Sequence, residues 1–201
     1  MDTNWEEKYQ QNDTPWNKGY PSPGLVEFLQ DNPIGGRVLV PGCGFGHDVR
    51  AIALSTNQVI GIDLAPSAIK VAKTFPPKGC EDYSCADLFA LPLDLYGSFT
   101  WVWEHTCFCA INPQRRSDYV QSVASVLQPN GYLLAIFYLN PDNDQPDGEP
   151  PFGTSQAELH QLFDSQFHLI REWTPNENYP GREGRELMQL LQRKPSLPSI
   201  D

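Results

Sequence analysis

Three glycines at alternate positions, Gly42, Gly44 and Gly46, stand in VLVPGCGFGHD (Val38 to Asp48), directly after the apolar run Arg37 to Val40. A glycine turn between a strand and a helix lets ligand atoms approach the backbone and offers free N–H groups at the helix start. Asp63 ends the next apolar run, VIGI at Val59 to Ile62. A carboxylate at the end of a second strand can accept both hydroxyls of a ribose. The pairing of turn and acid therefore points to a cofactor that carries a nucleoside.

Dinucleotide enzymes share this plan, but their G-x-G-x-x-G fingerprint needs a third glycine where this chain has His47. The pattern disfavours a hydride-transferring, NAD-dependent dehydrogenase and favours S-adenosylmethionine, which has no pyrophosphate to cradle. Asp87 in CADLF (Cys85 to Phe89) lies just beyond a third short run. It is placed to accept from the exocyclic amine of adenine, with Leu88 packing on the ring. Methyl transfer is an in-line displacement that asks a protein to align the nucleophile and exclude water, with little acid–base machinery. His47 and His105 are the histidines near this region, and each reads as a packing or hydrogen-bonding residue rather than a base. The lack of an evident catalytic dyad fits soft, anionic acceptors.

The elements that position these residues alternate between strand and helix. Strands are expected at Arg37 to Val40, Val59 to Ile62, Tyr83 to Ala86, Phe99 to Glu104, Tyr132 to Leu139, Phe167 to Trp173 and Glu186 to Gln192. Helices are expected at His47 to Ser55, from Pro66 through Thr74, at Gln114 to Leu127 with Pro129-Asn130-Gly131 ending it, and from a Ser155 cap to Phe163, where Glu158 would complete a capping box. Asn140 to Pro151 reads as a loop. The sum is an α/β fold: a doubly wound, mostly parallel, seven-stranded Rossmann-like sheet with an antiparallel C-terminal strand.

At 201 residues, with 40% apolar and 19% charged, the chain reads as one domain over 1–195, of which 1–33 form an aromatic N-terminal segment and 196–201 a frayed tail. A net charge of −11 counts against nucleic acid and anionic membranes as partners and favours a small molecule. The N-terminus lacks a secretory pattern, so a cytoplasmic location is expected, with the five cysteines reduced. Cys107-Phe108-Cys109 reads as strand residues used for packing or pocket lining, and no metal site is expected. A monomer is the expectation.

Taken together, WEEKYQQNDTPWNKGYPSPGL (Trp5 to Leu25), VLVPGCGFGHD, VIGIDLAPSAI, CADLF, EHTCFCAINPQRR (Glu104 to Arg116) and PNGYLLAIFY, through to PGREGRELMQLLQRK, resemble the thiopurine S-methyltransferase family. The similarity is greatest to its branch of small thiol and halide methyltransferases and covers nearly the whole chain. The resemblance implies that Trp5, Tyr9 and Trp16 fold over the cofactor, where aromatic faces favour a sulfonium cation. It also implies cofactor contacts at Gly42, Gly44, Asp63, Asp87, Leu88 and His105, the last at a position often held by Tyr. Trp16, Cys107, Phe108, Arg116 and Tyr138 are the residues expected at the substrate. Arg182 and Arg185 read as solvated. The expected reaction passes the methyl group to a thiol or hydrosulfide, leaving S-adenosylhomocysteine. Halide, thiocyanate, tellurite and selenite are the alternatives within the family, and a non-catalytic S-adenosylmethionine-binding protein is the alternative outside it.

Overall fold

Runs of β-branched and leucine side chains with no polar interruption need cover on both faces, and the sheet supplies it. In the computed structural model, which describes residues 3–56, 58–141 and 148–195, seven strands form one sheet. They are β1 (Arg37–Pro41), β2 (Gln58–Asp63), β3 (Glu81–Cys85), β4 (Phe99–His105), β5 (Leu127–Tyr138), β6 (Phe167–Trp173) and β7 (Glu186–Arg193). Their order is β3-β2-β1-β4-β5-β7-β6. Parallel pairing joins β3 through β5, and β7 runs antiparallel between β5 and β6. The doubly wound sheet with a reversed C-terminal strand is thus the architecture expected from the sequence.

Six helices flank it: α1 (Trp5–Gln10), α2 (Pro23–Asp31), α3 (His47–Ala53), α4 (Pro66–Ala72), α5 (Arg116–Val126) and α6 (Gln156–Phe163). Alternation along each strand sends side chains to two cores. Val38, Val40, Trp103, Leu134 and Ile136 meet Leu25, Phe28, Val49, Ile52 and Ile69 on one face. Leu39, Val102, Leu133, Ala135 and Phe137 meet Tyr119, Val123, Leu159 and Phe163 on the other. The strand order reverses between β1 and β4, which makes the crevice at their C-terminal ends the place for a ligand.

Several local expectations change. The third strand is Glu81–Cys85 rather than Tyr83 to Ala86. Pro129-Asn130-Gly131 does not lie outside the strand: β5 starts at Leu127, and its pairing with β4 jumps from Phe99↔Leu127 to Trp101↔Tyr132. The turn residues bulge out of a ladder that has already begun, with Asn130 at φ 63°. Ser155 Oγ accepts the Glu158 N–H at 3.2 Å, but the Glu158 carboxylate turns away to Arg116 Nη1 (2.7 Å) and Thr154 Oγ1 (2.9 Å), so only half of the capping box forms. A buried guanidinium is a stronger partner than a solvated backbone N–H. Cys107-Phe108-Cys109 leaves the strand and enters a 3₁₀ turn, Phe108–Ala110. The tail 196–201 and the middle of the 140–151 loop lie outside the described residues. Among the described residues, no helix is long and apolar enough to cross a membrane.

Candidate active site

The turn after β1 holds Gly42, Gly44 and Gly46 at φ 60°, 51° and 73°. This is the left-handed region, where a side chain is strained. Space is short as well: a Cβ on Gly42 would stand 3.0 Å from Cys107 Cβ and 3.1 Å from its Sγ, and one on Gly46 would enter the Tyr83 ring. Gly42→Ala should therefore push Cys107 into the cavity and weaken binding of S-adenosylhomocysteine about tenfold or more, given a left-handed penalty of roughly 1–2 kcal/mol before any clash. Titration calorimetry on the variant checks this; unchanged affinity would mean that the turn does not approach the ligand.

Asp63, 7% exposed at the end of β2, accepts the Gly44 N–H through Oδ2 and the Ala65 N–H through Oδ1, both at 2.9 Å. Burial raises its carboxyl above the usual range, and the backbone hydrogen bonds oppose that rise. Each oxygen retains a further lone pair that a ribose hydroxyl can reach. Asp87 caps the 3₁₀ turn Leu88–Ala90 by accepting the Phe89 N–H at 2.8 Å, which fixes its carboxylate beside Leu88.

The N-terminal segment folds over this end of the sheet. Glu6 accepts from Ser67 N–H (3.0 Å) and Oγ–H (2.6 Å), tying α1 to the start of α4. Tyr9 is buried against Ala65 and Ala68, with Phe45 at 5.4 Å between ring centroids, and Trp16 Nε1–H donates to Tyr9 Oη at 3.2 Å. Trp5 meets Trp16 edge-on at 5.4 Å. Ser22 N–H donates to Asp48 Oδ1 at 2.7 Å and fixes the point where the segment rejoins the core.

Beneath it lies a cavity of about 310 Å³. Trp5, Tyr9, Trp16, Gly42, Asp63, Asp87 and Leu88 line it, and so do Cys107 and Tyr138. Gly44 and His105 are set beside it, in a smaller cavity of about 60 Å³. The donor set fits S-adenosylmethionine: aromatic faces for a sulfonium, Asp63 for a ribose, Asp87 with Leu88 for an adenine. Two expected substrate residues are not brought in. Phe108 is 2% exposed and packs among Tyr119, Phe137 and Phe163. Arg116 is also 2% exposed; besides its ion pair with Glu158, it donates to the carbonyls of Phe152 and Gly153 and lies over the Phe108 ring. Its position serves the fold of the 152–158 segment.

Arg182 is the reverse case. Instead of being solvated it lines the cavity, with its side chain 11% exposed, its Nη1 3.0 Å from Glu186 Oε1 and its guanidinium 4.7 Å from the Tyr138 ring. A loop reading of PGREG hides it, because only the β5–β7 pairing carries that loop to the end of β5. Cys109 also faces the cavity. Behind both cysteines, the wholly buried Glu104 Oε1 accepts the N–H groups of Cys107 (2.9 Å) and Phe108 (2.7 Å), and its Oε2 accepts a short bond from Tyr119 Oη–H. Burial pushes its carboxyl up to about 7. Sequence reading missed Glu104 because an acid beside aromatic residues does not reveal whether it faces inward.

The family model of thiopurine S-methyltransferase (TPMT) matches residues 1–179. Thiocyanate methyltransferase 1 of Brassica oleracea is 34% identical over 154 residues, 74% of this chain and 66% of the relative. Thiocyanate methyltransferase 1 of Arabidopsis thaliana is 34% identical over 189 residues, 90% of this chain and 81% of the relative. In fold, the chain matches 1,6-didemethyltoxoflavin-N1-methyltransferase of Burkholderia thailandensis, solved with bound 1,6-didemethyltoxoflavin and S-adenosylhomocysteine, with a TM-score of 0.71 at 15% identity over 94% of this chain and 84% of that one. The chain belongs to the thiopurine S-methyltransferase family and is an S-adenosylmethionine-dependent methyltransferase.

Proposed function

We propose that the chain methylates a small, soft, anionic nucleophile, with thiols and hydrosulfide first and thiocyanate or a halide as alternatives. The observation that carries this reading is Arg182, which lies over the Tyr138 ring at 4.7 Å in a cavity that Ile111, Pro150 and Pro151 also line. One guanidinium set in apolar walls favours an anion that sheds its water easily. The relatives named for thiocyanate and thiol substrates support the same class. The bound cofactor supplies a methyl group on a cationic sulfur; the chain supplies alignment and dryness. Trp5, Tyr9 and Trp16 are proposed to cover that sulfur, with Asp63, Asp87 and Leu88 holding the nucleoside and Trp16, Cys107 and Tyr138 at the acceptor.

Arg182 orients the acceptor's charge, while its partner Glu186, whose side chain is wholly buried, keeps the guanidinium from turning away. Lys8, the other cation lining the cavity, is engaged by Asp13 and Glu149 at 3.2 Å each. The chain's own thiols do not compete for the methyl group. Burial pushes the Cys109 thiol up to about 12 and Cys107 well above its ordinary value, so neither is a thiolate near neutrality.

The test is a headspace assay for volatile methylated products with hydrosulfide, methanethiol, thiocyanate and iodide. Product from at least one of them is expected; binding of S-adenosylmethionine with every acceptor inert would sink the reading. In the same assay, Arg182→Gln combined with Glu186→Gln, which leaves no buried charge unpaired, should raise the acceptor KM roughly tenfold or more while S-adenosylhomocysteine binds as before. An unchanged KM would remove Arg182 from the acceptor site.

A further inference from the structure

Arg182 reaches the cavity from residues 174–185, the loop that joins β6 to β7. The loop is built of turns and bends, so its shape depends on what it is tied to. Its two ends are fixed: Trp173 stacks on Phe28 of α2 at 6.1 Å, and Leu139 N–H donates to the Arg185 carbonyl at 2.8 Å. Between those ends, the ties come from one short stretch, residues 20–27, where the N-terminal segment runs into α2.

Glu27, half-buried on α2, gathers three donors from the loop. It accepts the Asn176 N–H at 3.0 Å, the Glu177 N–H at 3.2 Å and a short bond from Asn176 Nδ2. One turn earlier on the same helix, Gly24 leaves room for the buried Pro175, since a Cβ there would stand 3.1 Å from Pro175 Cβ and 2.9 Å from Ile136 Cδ1. The Tyr20 carbonyl accepts from Tyr179 Oη–H at 2.8 Å, with the two rings 5.1 Å apart. From Tyr179 a tight turn leads to Arg182, whose N–H donates to the Tyr179 carbonyl at 3.0 Å. Pro180 followed by Gly181 at φ 84° is the signature of a type II turn, a stiff link.

The side chain of Arg182 cannot find its place unaided. The Glu186 ion pair holds Nη1 at the tip of a long side chain, and such a chain can keep its tip on one partner while its backbone shifts. The direction of the remaining guanidinium nitrogens is therefore set by where the backbone starts. Hydrogen bonds to a carboxylate are stronger than those between neutral groups, which makes Glu27 the firmest of the ties from residues 20–27.

We infer that Glu27 is a positioning residue for the methyl acceptor: it holds the 174–185 loop on α2, so that the turn at Tyr179–Arg182 presents the guanidinium to the cavity. This rests on the acceptor role of Arg182 proposed above and extends it to a residue outside the described lining of both cavities.

The experiment places Glu27→Ala in the wild type and in the Arg182→Gln/Glu186→Gln protein. Initial rates are measured with the four acceptors of the headspace assay, and S-adenosylhomocysteine affinity by calorimetry. In the wild type, Glu27→Ala should raise the acceptor KM roughly three- to tenfold and leave S-adenosylhomocysteine affinity within about twofold. Amide hydrogen exchange should quicken over 174–185 and stay as it was over α1 and α4. In the Arg182→Gln/Glu186→Gln background the same substitution should change the acceptor KM by less than about twofold, because the group it positions is gone. Glu27→Gln, which keeps one accepting oxygen, should give a smaller rise of the same kind. An unchanged KM in the wild-type background, an equal rise in both backgrounds, or weakened S-adenosylhomocysteine binding would overturn the inference. If Arg182→Gln/Glu186→Gln by itself leaves the acceptor KM at the wild-type value, the acceptor role of Arg182 fails first, a result read without any change at Glu27.

Discussion

Asp63→Ala lowers the affinity for S-adenosylhomocysteine by two to three orders of magnitude. The carboxylate is expected to accept two ribose hydroxyls, and hydrogen bonds to a charged group contribute about 1.5–3 kcal/mol each, so a loss of about 3–4 kcal/mol corresponds to roughly 100- to 1,000-fold. The substitution also strips the Gly44 and Ala65 N–H groups of their acceptor, and so loosens the turn at Gly44, which is held at φ 51°. Asp63→Asn falls nearly as far, because an amide directs its NH₂ toward one of two backbone donors that both need an oxygen. In the wild type, binding weakens on acidification. Burial raises the Asp63 carboxyl, the ribose hydroxyls favour its ionised form, and protons therefore compete with the ligand as pH falls through that raised value. Calorimetry reads both effects. An Asp63→Ala dissociation constant within threefold of the wild type would remove this residue from the cofactor site.

The features legible in the sequence are those that a short window fixes. RVLV, VIGI and YLLAIFY announce buried strands because every residue is apolar, and the glycine turn is legible because left-handed φ values demand its composition. The cavity-lining positions of Trp5, Tyr9, Trp16, Asp63, Asp87 and Leu88 follow from strand ends and from family resemblance. What a window cannot show is which distant group a polar side chain meets. Arg116 and Arg182 look alike in sequence, yet one is locked to Glu158 behind Phe108 and the other faces the cavity. Glu158 seemed assigned to a cap three residues away until the fold brought a guanidinium from α5 within 2.7 Å. The helix α2 escaped notice although Ser22-Pro23 is a start signal, because only Gly24, Leu25 and Phe28 are buried and its apolar stripe is short. Asp48, read as the end of a motif, joins Ser22, Trp103 and His105 across three segments.

Glu104 shows how a group outside the cavity governs its wall, and Glu104→Gln isolates that role. The sign of the pH effect follows from the direction of the shift. Burial lifts the folded-state carboxyl from 4.5 to about 7, so its contribution to stability is fully present below the unfolded value and is lost as pH rises through the folded one. The difference corresponds to about 3 kcal/mol across that window. At pH 4, below the unfolded value, the neutral acid and the amide make equivalent bonds: an oxygen for the Cys107 and Phe108 N–H groups and a donor for Tyr119 Oη. The two proteins should then melt together. By pH 8 the wild type has charged a buried carboxylate and should melt roughly 6–12 °C below Glu104→Gln, at 2–4 °C per kcal/mol for a chain of this size. Thermal melts of both proteins at the two pH values give the comparison, and parallel curves would show that Glu104 does not titrate in the folded state. The ionised form, in turn, grips the two N–H groups more strongly than an amide does. Because those N–H groups belong to the turn that presents Cys107 and Cys109 to the cavity, Glu104→Gln should raise the acceptor KM above neutrality while leaving S-adenosylhomocysteine affinity unchanged. Stability and acceptor binding then move in opposite directions on one substitution, which a residue needed only for packing cannot produce.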